Sequence, residues 1–212
     1  MPRLDVQHCL RDFELSLNES LNLLAESNAY RVQNPRGTYI HIGSRRKEIF
    51  ASIALLRMHM SWEDFLENVF VRFLCGGQTA SGYSPSLLQA PFSIINTAYS
   101  TLLGGNNFLN WSPYNINTLA LRFFNLGEPF SSAIAASRNK LDEINIVRNR
   151  FAHRSDFASN QFEIIIRNTL GYIPRGINPG RWLLMRDPSN PGLRLIDGYA
   201  IILRVTARSI VR

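Results

Sequence analysis

The segment "IVRNRFAHRSDF", residues 146–157, places polar groups that could do chemistry on an otherwise apolar stretch. Asn149 and His153 lie four residues apart, so on a helix both project from one face. Arg148 lies five residues before His153, about 140° away around an ideal helix. Arg148 and His153 therefore converge only if the helix loosens near His153 or the arginine bends round, and the polar residues that follow are typical of a helix end.

These residue types can cleave RNA without a metal ion. The reaction must take a proton from a ribose 2′-hydroxyl, give one to the 5′-oxygen leaving group, and stabilise negative charge on the phosphate oxygens. An imidazole such as that of His153 can serve as base or acid, and Arg148 suits the phosphate charge. Asn149 can hold the phosphate or orient the imidazole. Since one histidine cannot be acid and base in the same step, a second copy of the chain would complete the site.

The composition favours an anionic partner. The 212 residues include 23 Lys+Arg and 16 Asp+Glu, a formal net charge of +7, and nucleic acid is the commonest partner of so basic a protein. Nearly all of the excess is arginine, which can fork onto phosphate and stack on bases. The residues that we assign to RNA binding are Arg150, Arg154, Arg45, Arg46 and Lys47. The last three also fit a solvated basic turn. Because cations oppose the dipole at a helix N-terminus, however, their position there indicates some other benefit.

Apolar spacing predicts a mainly all-α chain, whose hydrophobic fraction of 45% is enough for a sizeable core. Helices are expected over Val6 to Tyr30, Arg45 to Leu74, Pro91 to Leu103, a short segment after Asn115 or Asn117, Ser131 or Ser132 to the 148–153 motif, and Ser159 to Leu170. The Pro/Gly-rich region that follows suggests one short strand or hairpin around Trp182–Arg186, and residues 193–211 fit either a helix or a strand. Trp182, in that arginine-rich region, is a candidate for stacking on a base, with a core position as the alternative.

Arg148-Asn149-Arg150-Phe151-Ala152-His153 resembles the R-N-x-x-x-H signature of HEPN domains. The segments "MSWEDFLENVFVRFL", residues 60–74, and "NWSPYNINTLALRFFNLGEPF", residues 110–130, also resemble larger bacterial HEPN proteins. The resemblance covers about residues 5–170. It implies a helical bundle that dimerises with two Arg/His sets across one groove, and a metal-independent endoribonuclease of toxin–antitoxin or phage-defence systems. Arg154 and Ser155 depart from the subgroup that carries x-Tyr after the histidine, in which that tyrosine is the target of an antitoxin.

From these observations we expect a HEPN-type helical domain over residues 1–170 and a C-terminal extension over 171–212 packed on it. The expected function is cleavage of RNA by 2′-hydroxyl attack, with Arg148, Asn149 and His153 as catalytic residues and with neither metal nor cofactor. The expected partners are RNA, a second copy of the chain and an antitoxin or regulatory protein, but no membrane. The acidic residues of the first thirty positions do not fit a secretory signal, so a cytoplasmic location is expected.

Three alternatives remain open at this stage. The motif could simply solubilise a helix end, where cations are favourable. A HEPN-like module could bind RNA or a partner protein without cleaving. A DNA-binding accessory protein is compatible with the charge, although no recognition-helix signature is present.

Overall fold

A computed structural model describes residues 5–212, and residues 1–4, which belong to the expected domain 1–170, lie outside the described part. The all-α fold class is confirmed, with 65% of the described residues in helices and 8% in strands. The helices in the described part are α1 (Val6–Glu26), α2 (Ser44–Leu74), α3 (Ile95–Leu103), α4 (Pro113–Phe123), α5 (Phe130–Ala152), α6 (Asp156–Leu170), α7 (Pro179–Leu184) and α8 (Leu195–Ile210). None of them is long and apolar enough to cross a membrane.

Two small antiparallel hairpins complete the described part. β1 (Arg31–Gln33) pairs with β2 (Tyr39–His41), and β3 (Arg186–Asp187) pairs with β4 (Asn190–Arg194). The first hairpin is absent from the sequence-based expectation. Its turn is held by Asn34, whose Oδ1 accepts hydrogen bonds from two backbone N–H groups at 3.0 Å each. Hydrogen bonds from the backbone to an Asn side chain stabilise a turn at the expense of a helix, which is why Asn is common in turns.

The C-terminal extension contains a short hairpin, as expected, but the expected position around Trp182–Arg186 is too early in the chain. Most of that segment is α7, and the hairpin begins only at Arg186. Asn178 begins the helix, since its side chain accepts from the backbone N–H of Arg181 at 3.0 Å, and Pro179 occupies the first helical position. An Asn cap followed by Pro is a favourable helix start.

Several helix ends also differ from expectation. α1 ends at Glu26 and not at Tyr30, because the chain turns there into the first hairpin. α4 begins after Ser112, whose hydroxyl accepts from a backbone N–H, and neither Asn115 nor Asn117 caps it. The C-terminal segment, for which helix and strand were both possible, is the helix α8.

Contacts within the chain group the described residues into two compact units. Unit 1 comprises residues 5–15, Ser61–Asp142 and Ile202–Arg212, and unit 2 comprises Ser16–Met60 and Glu143–Ile201. The C-terminal segment 171–212 therefore contributes to both units.

Unit 1 has an aromatic core centred on Phe70. Its ring lies 4.7 Å from that of Phe130 and 4.9 Å from that of Phe124. Trp111, a further buried member, lies 5.9 Å from Phe70. Offset and edge-on arrangements of this kind add to the free energy gained by burial alone.

Unit 2 has a core of aliphatic side chains and Trp182. Within its part of α2, the buried face carries Ala51, Leu55 and Met58. Ile49 and Ile53, one helical turn apart on another apolar face, are 46% and 38% exposed. Trp182 is fully buried, donates from Nε1 to the hydroxyl of Tyr199 at 3.0 Å and packs edge-on against Phe162. The hypothesis that Trp182 stacks on a base is therefore wrong.

Candidate functional site

All the residues that the sequence assigns to catalysis or RNA binding belong to unit 2, and most of them lie where α5 ends. α5 ends at Ala152, and the backbone N–H of His153 donates to the carbonyl of Asn149 at 2.8 Å. Ser155 then begins α6, since its hydroxyl accepts from the backbone N–H of Ala158 at 3.2 Å. A connection of three residues thus holds His153 exposed between two well-formed helices.

The first cavity at this helix end, the His153 pocket, has a volume of about 160 Å³. It is lined by Ile146, Asn149, His153, Ser155, Phe157, Ala158 and Gln161. Asn149 and His153 share it because they are one helical turn apart, as their spacing predicts. Phe157 stands at its rim with 74% of its side chain exposed.

Arg148 is connected to this pocket by a hydrogen bond to Asn149. Its Nη1 donates to Oδ1 of Asn149 at 2.9 Å, and Arg148 itself does not line the pocket. The structure therefore brings Asn149 and His153 together and connects Arg148 to them by a side-chain hydrogen bond. Because the amide oxygen of Asn149 accepts from Arg148, its Nδ2 group is oriented as the donor available to a ligand.

The second cavity, the Arg45 pocket, has a volume of about 230 Å³. It is lined by Arg45, Glu48, Ile49, Ser52, Arg150, Phe151, Arg154, Asn178 and Pro179. Three of the five residues assigned to RNA binding meet here, contributed by the start of α2 and the end of α5. The other two, Arg46 and Lys47, follow Arg45 on α2 but do not line the pocket.

Glu48 organises the floor of the Arg45 pocket. Its side chain is only 15% exposed, accepts from Nδ2 of Asn178 at 2.8 Å and lies 3.5 Å from Nη1 of Arg45. The two donors fix the position of this carboxylate. Arg150 links the two pockets, since its Nη1 donates to the backbone carbonyl of His153 at 3.4 Å.

Sequence reasoning missed Glu48, Phe151 and Asn178 as pocket residues. Asn178 does carry a local signal, because Asn followed by Pro marks a helix start. No local signal pairs it with Glu48, however, since the two are 130 residues apart in the chain.

Among residues 5–212, no group of three or more His, Cys, Asp or Glu side chains is placed to hold a metal ion. Both cysteines, Cys9 and Cys75, are free thiols in unit 1, and burial raises the pKa of each. No protein-family model, no curated protein and no solved structure matches the chain.

Proposed function

We propose that the protein is a metal-independent endoribonuclease of HEPN type, acting at the His153 pocket. The observation that carries the proposal is the linked set of Arg148, Asn149 and His153: one hydrogen bond of 2.9 Å joins the first two, and a single pocket contains the last two. A cation, an oriented amide donor and an exposed imidazole are the groups that in-line cleavage of RNA requires.

In this mechanism the 2′-hydroxyl attacks the adjacent phosphorus while the bond from phosphorus to the 5′-oxygen breaks. One imidazole removes the proton of the 2′-hydroxyl, and a second imidazole protonates the departing 5′-oxygen. The products are a 2′,3′-cyclic phosphate and a 5′-hydroxyl. Arg148 stabilises the charge that develops on the phosphate oxygens, and Asn149 donates from Nδ2 to one of them.

The need for two imidazoles makes a homodimer part of the proposal. His153 of one copy would act as the base, and the same histidine of a second copy as the acid. The exposed Phe157 at the rim of the pocket offers that copy an apolar contact, since large exposed aromatic side chains are enriched at protein interfaces. The resemblance to HEPN domains adds a toxin–antitoxin or phage-defence setting, in which a partner protein or a trigger controls the enzyme.

The test is cleavage of an end-labelled RNA by the purified wild type, His153→Ala and Lys140→Ala, all in excess EDTA. Lys140 is a control because it is a cation of α5 that lies in unit 1 and outside the pocket. We expect the wild type and Lys140→Ala to leave a cyclic phosphate, and His153→Ala to be inactive. Equal activity in all three proteins would refute the assignment of His153.

A mixing experiment tests the shared site. If both histidines are needed, exchange with an equal amount of His153→Ala leaves about one quarter of the dimers with two intact copies, so activity falls to about one quarter of that of the same total amount of wild type. Independent sites would instead retain about one half.

A further inference from the structure

The Arg45 pocket has a charge that selects an anion. It is lined by Arg45, Arg150 and Arg154 and by the single acidic residue Glu48, which gives three positively charged side chains against one negatively charged side chain. The carboxylate is already engaged by Asn178 and Arg45. The guanidinium groups can therefore bind a phosphate with two or more charge-assisted hydrogen bonds.

Three further residues of the lining are apolar, and one of them has an accessible ring. Phe151 is 39% exposed and Ile49 is 46% exposed, and Pro179 contributes a third apolar surface. A volume of 230 Å³ is below the range of about 300–1,000 Å³ that is typical of sites for drug-sized ligands. A phosphate joined to a single flat base fits these properties better than a larger ligand does.

The two pockets use adjacent faces of one helix end. Asn149 and His153 line the first pocket, and Arg150 and Arg154, each one position later in the chain, line the second. Arg150 also contacts the backbone carbonyl of His153. A strand of RNA with its reactive phosphate in the His153 pocket would therefore have a neighbouring nucleotide within reach of the Arg45 pocket.

We propose that the Arg45 pocket binds one unpaired nucleotide of the RNA strand that flanks the scissile phosphate, an inference that takes its substrate from the proposed function. The phosphate lies against Arg45, Arg150 and Arg154, and the base stacks on Phe151. Because a base within a duplex cannot reach the ring, the pocket makes the protein selective for single-stranded RNA.

The first test measures the Kd of a fluorescent single-stranded RNA of twelve nucleotides for full-length His153→Ala, which is expected not to cleave it. Arg45→Ala is added to this background and compared with Arg36→Ala, which removes the same charge from an exposed position of unit 2 in the turn between β1 and β2, outside the pocket. We expect Arg45→Ala to weaken binding roughly tenfold and to reduce the salt dependence of log Kd by about 0.7, whereas Arg36→Ala changes Kd less than about twofold. Equal losses from both variants, or no binding by the parent, would overturn the proposal.

The second test addresses the base. Phe151→Leu keeps an apolar side chain but removes the ring, so we expect roughly fivefold weaker binding of the single-stranded RNA. Tyr39→Leu is the control, because Tyr39 is an aromatic residue of unit 2, 66% exposed, on β2. A duplex of the same sequence should bind more weakly than the single strand and respond to neither change. If Phe151→Leu binds the single-stranded RNA with full affinity, or if duplex and single strand bind equally well, the claim that the base stacks on Phe151 is refuted.

The two proposals fail in different ways. If the wild type cleaves RNA and Arg45→Ala binds RNA as tightly as Arg36→Ala does, the nuclease proposal stands and the nucleotide pocket is refuted. A wild type that does not cleave, with binding still lost in Arg45→Ala alone, would leave the pocket intact and identify an RNA-binding module. Arg45 is 77% exposed, so its replacement should leave the melting temperature unchanged, which a thermal unfolding measurement checks.

Discussion

Gly180 has no room for a side chain, which makes Gly180→Ala a sharp test of how α7 packs on α2. A methyl group at this position would lie 2.5 Å from the carbonyl carbon of Glu48 and 2.8 Å from its Cα. These are backbone atoms of a 31-residue helix, so neither can rotate away. Since carbon atoms are in favourable contact at about 3.5–4.0 Å, α7 would have to retreat by about 1 Å.

That movement would also break a hydrogen bond of the Arg45 pocket. Asn178, two residues before Gly180, donates to Glu48 at 2.8 Å, and a retreat of about 1 Å takes this pair beyond bonding distance. Overpacking costs about 1–3 kcal/mol, and a lost bond to a charged group about 1.5–3 kcal/mol. Because the two losses share one movement and are not additive, we expect the free energy of unfolding to fall by about 3 kcal/mol.

The assay is thermal and urea unfolding of Gly180→Ala beside Gly43→Ala. The control adds the same methyl group in the same unit, at a glycine with nothing within 4 Å and no positive φ. For a chain of this length, about 3 kcal/mol lowers the melting temperature by about 6–12 °C, whereas the control should stay within about 2 °C of the wild type. If the melting temperature of Gly180→Ala equals that of Gly43→Ala, the close approach of α7 and α2 is refuted.

Two further predictions concern side-chain hydrogen bonds of unit 2. Tyr199→Phe removes the hydroxyl that accepts from Trp182 Nε1 and donates to Glu143 at 2.7 Å, so it should cost about 1–3 kcal/mol in urea unfolding at pH 7. Burial first, and then the charge of Glu143, raise the pKa of Tyr199 well above its ordinary value. The wild type should therefore lose stability above about pH 10, where Tyr199 ionises in the unfolded chain. If the free energy of unfolding falls equally steeply with pH in the wild type and in Tyr199→Phe, this reasoning is contradicted. Asp197→Asn should cost about 1 kcal/mol at pH 7, because Asp197 accepts from the Nε and Nη2 groups of Arg194 at 2.8 and 2.9 Å. Burial raises the pKa of Asp197, but the hydrogen bonds from Arg194 outweigh burial and lower it. The difference in free energy of unfolding between the wild type and Asp197→Asn should therefore be complete above about pH 4 and vanish as the pH falls further. A difference that persists at about pH 2 would refute this cause.

The helices were predictable because their signals are local. Leu10, Phe13 and Leu17 recur at helical spacing and are all buried on α1. The helix end at the 148–153 motif was also predictable, since polar residues follow it, and one of them, Ser155, begins the next helix by accepting a backbone hydrogen bond. Asn149 and His153 share a pocket for the same reason, because a spacing of four residues fixes their common face.

Other features depend on neighbours that are distant in the chain. Within α2, both the Ile49–Ile53 face and the Ala51–Leu55 face are apolar, and the packing partners select the second. Trp182 stands in an arginine-rich region that suggests an exposed ring, yet Phe162 and Tyr199 enclose it.

The sequence by itself determined the all-α class, most of the helices and the pairing of Asn149 with His153, because each follows from the order of residues within one or two turns. Only the tertiary structure decided that Arg45 joins Arg150 and Arg154 while Arg46 does not. It also decided that Glu48 holds Asn178. The physical reason is that such contacts arise from the packing of α7 and the end of α5 against α2, and a change of one residue along a helix turns a side chain by about 100° toward or away from its partners.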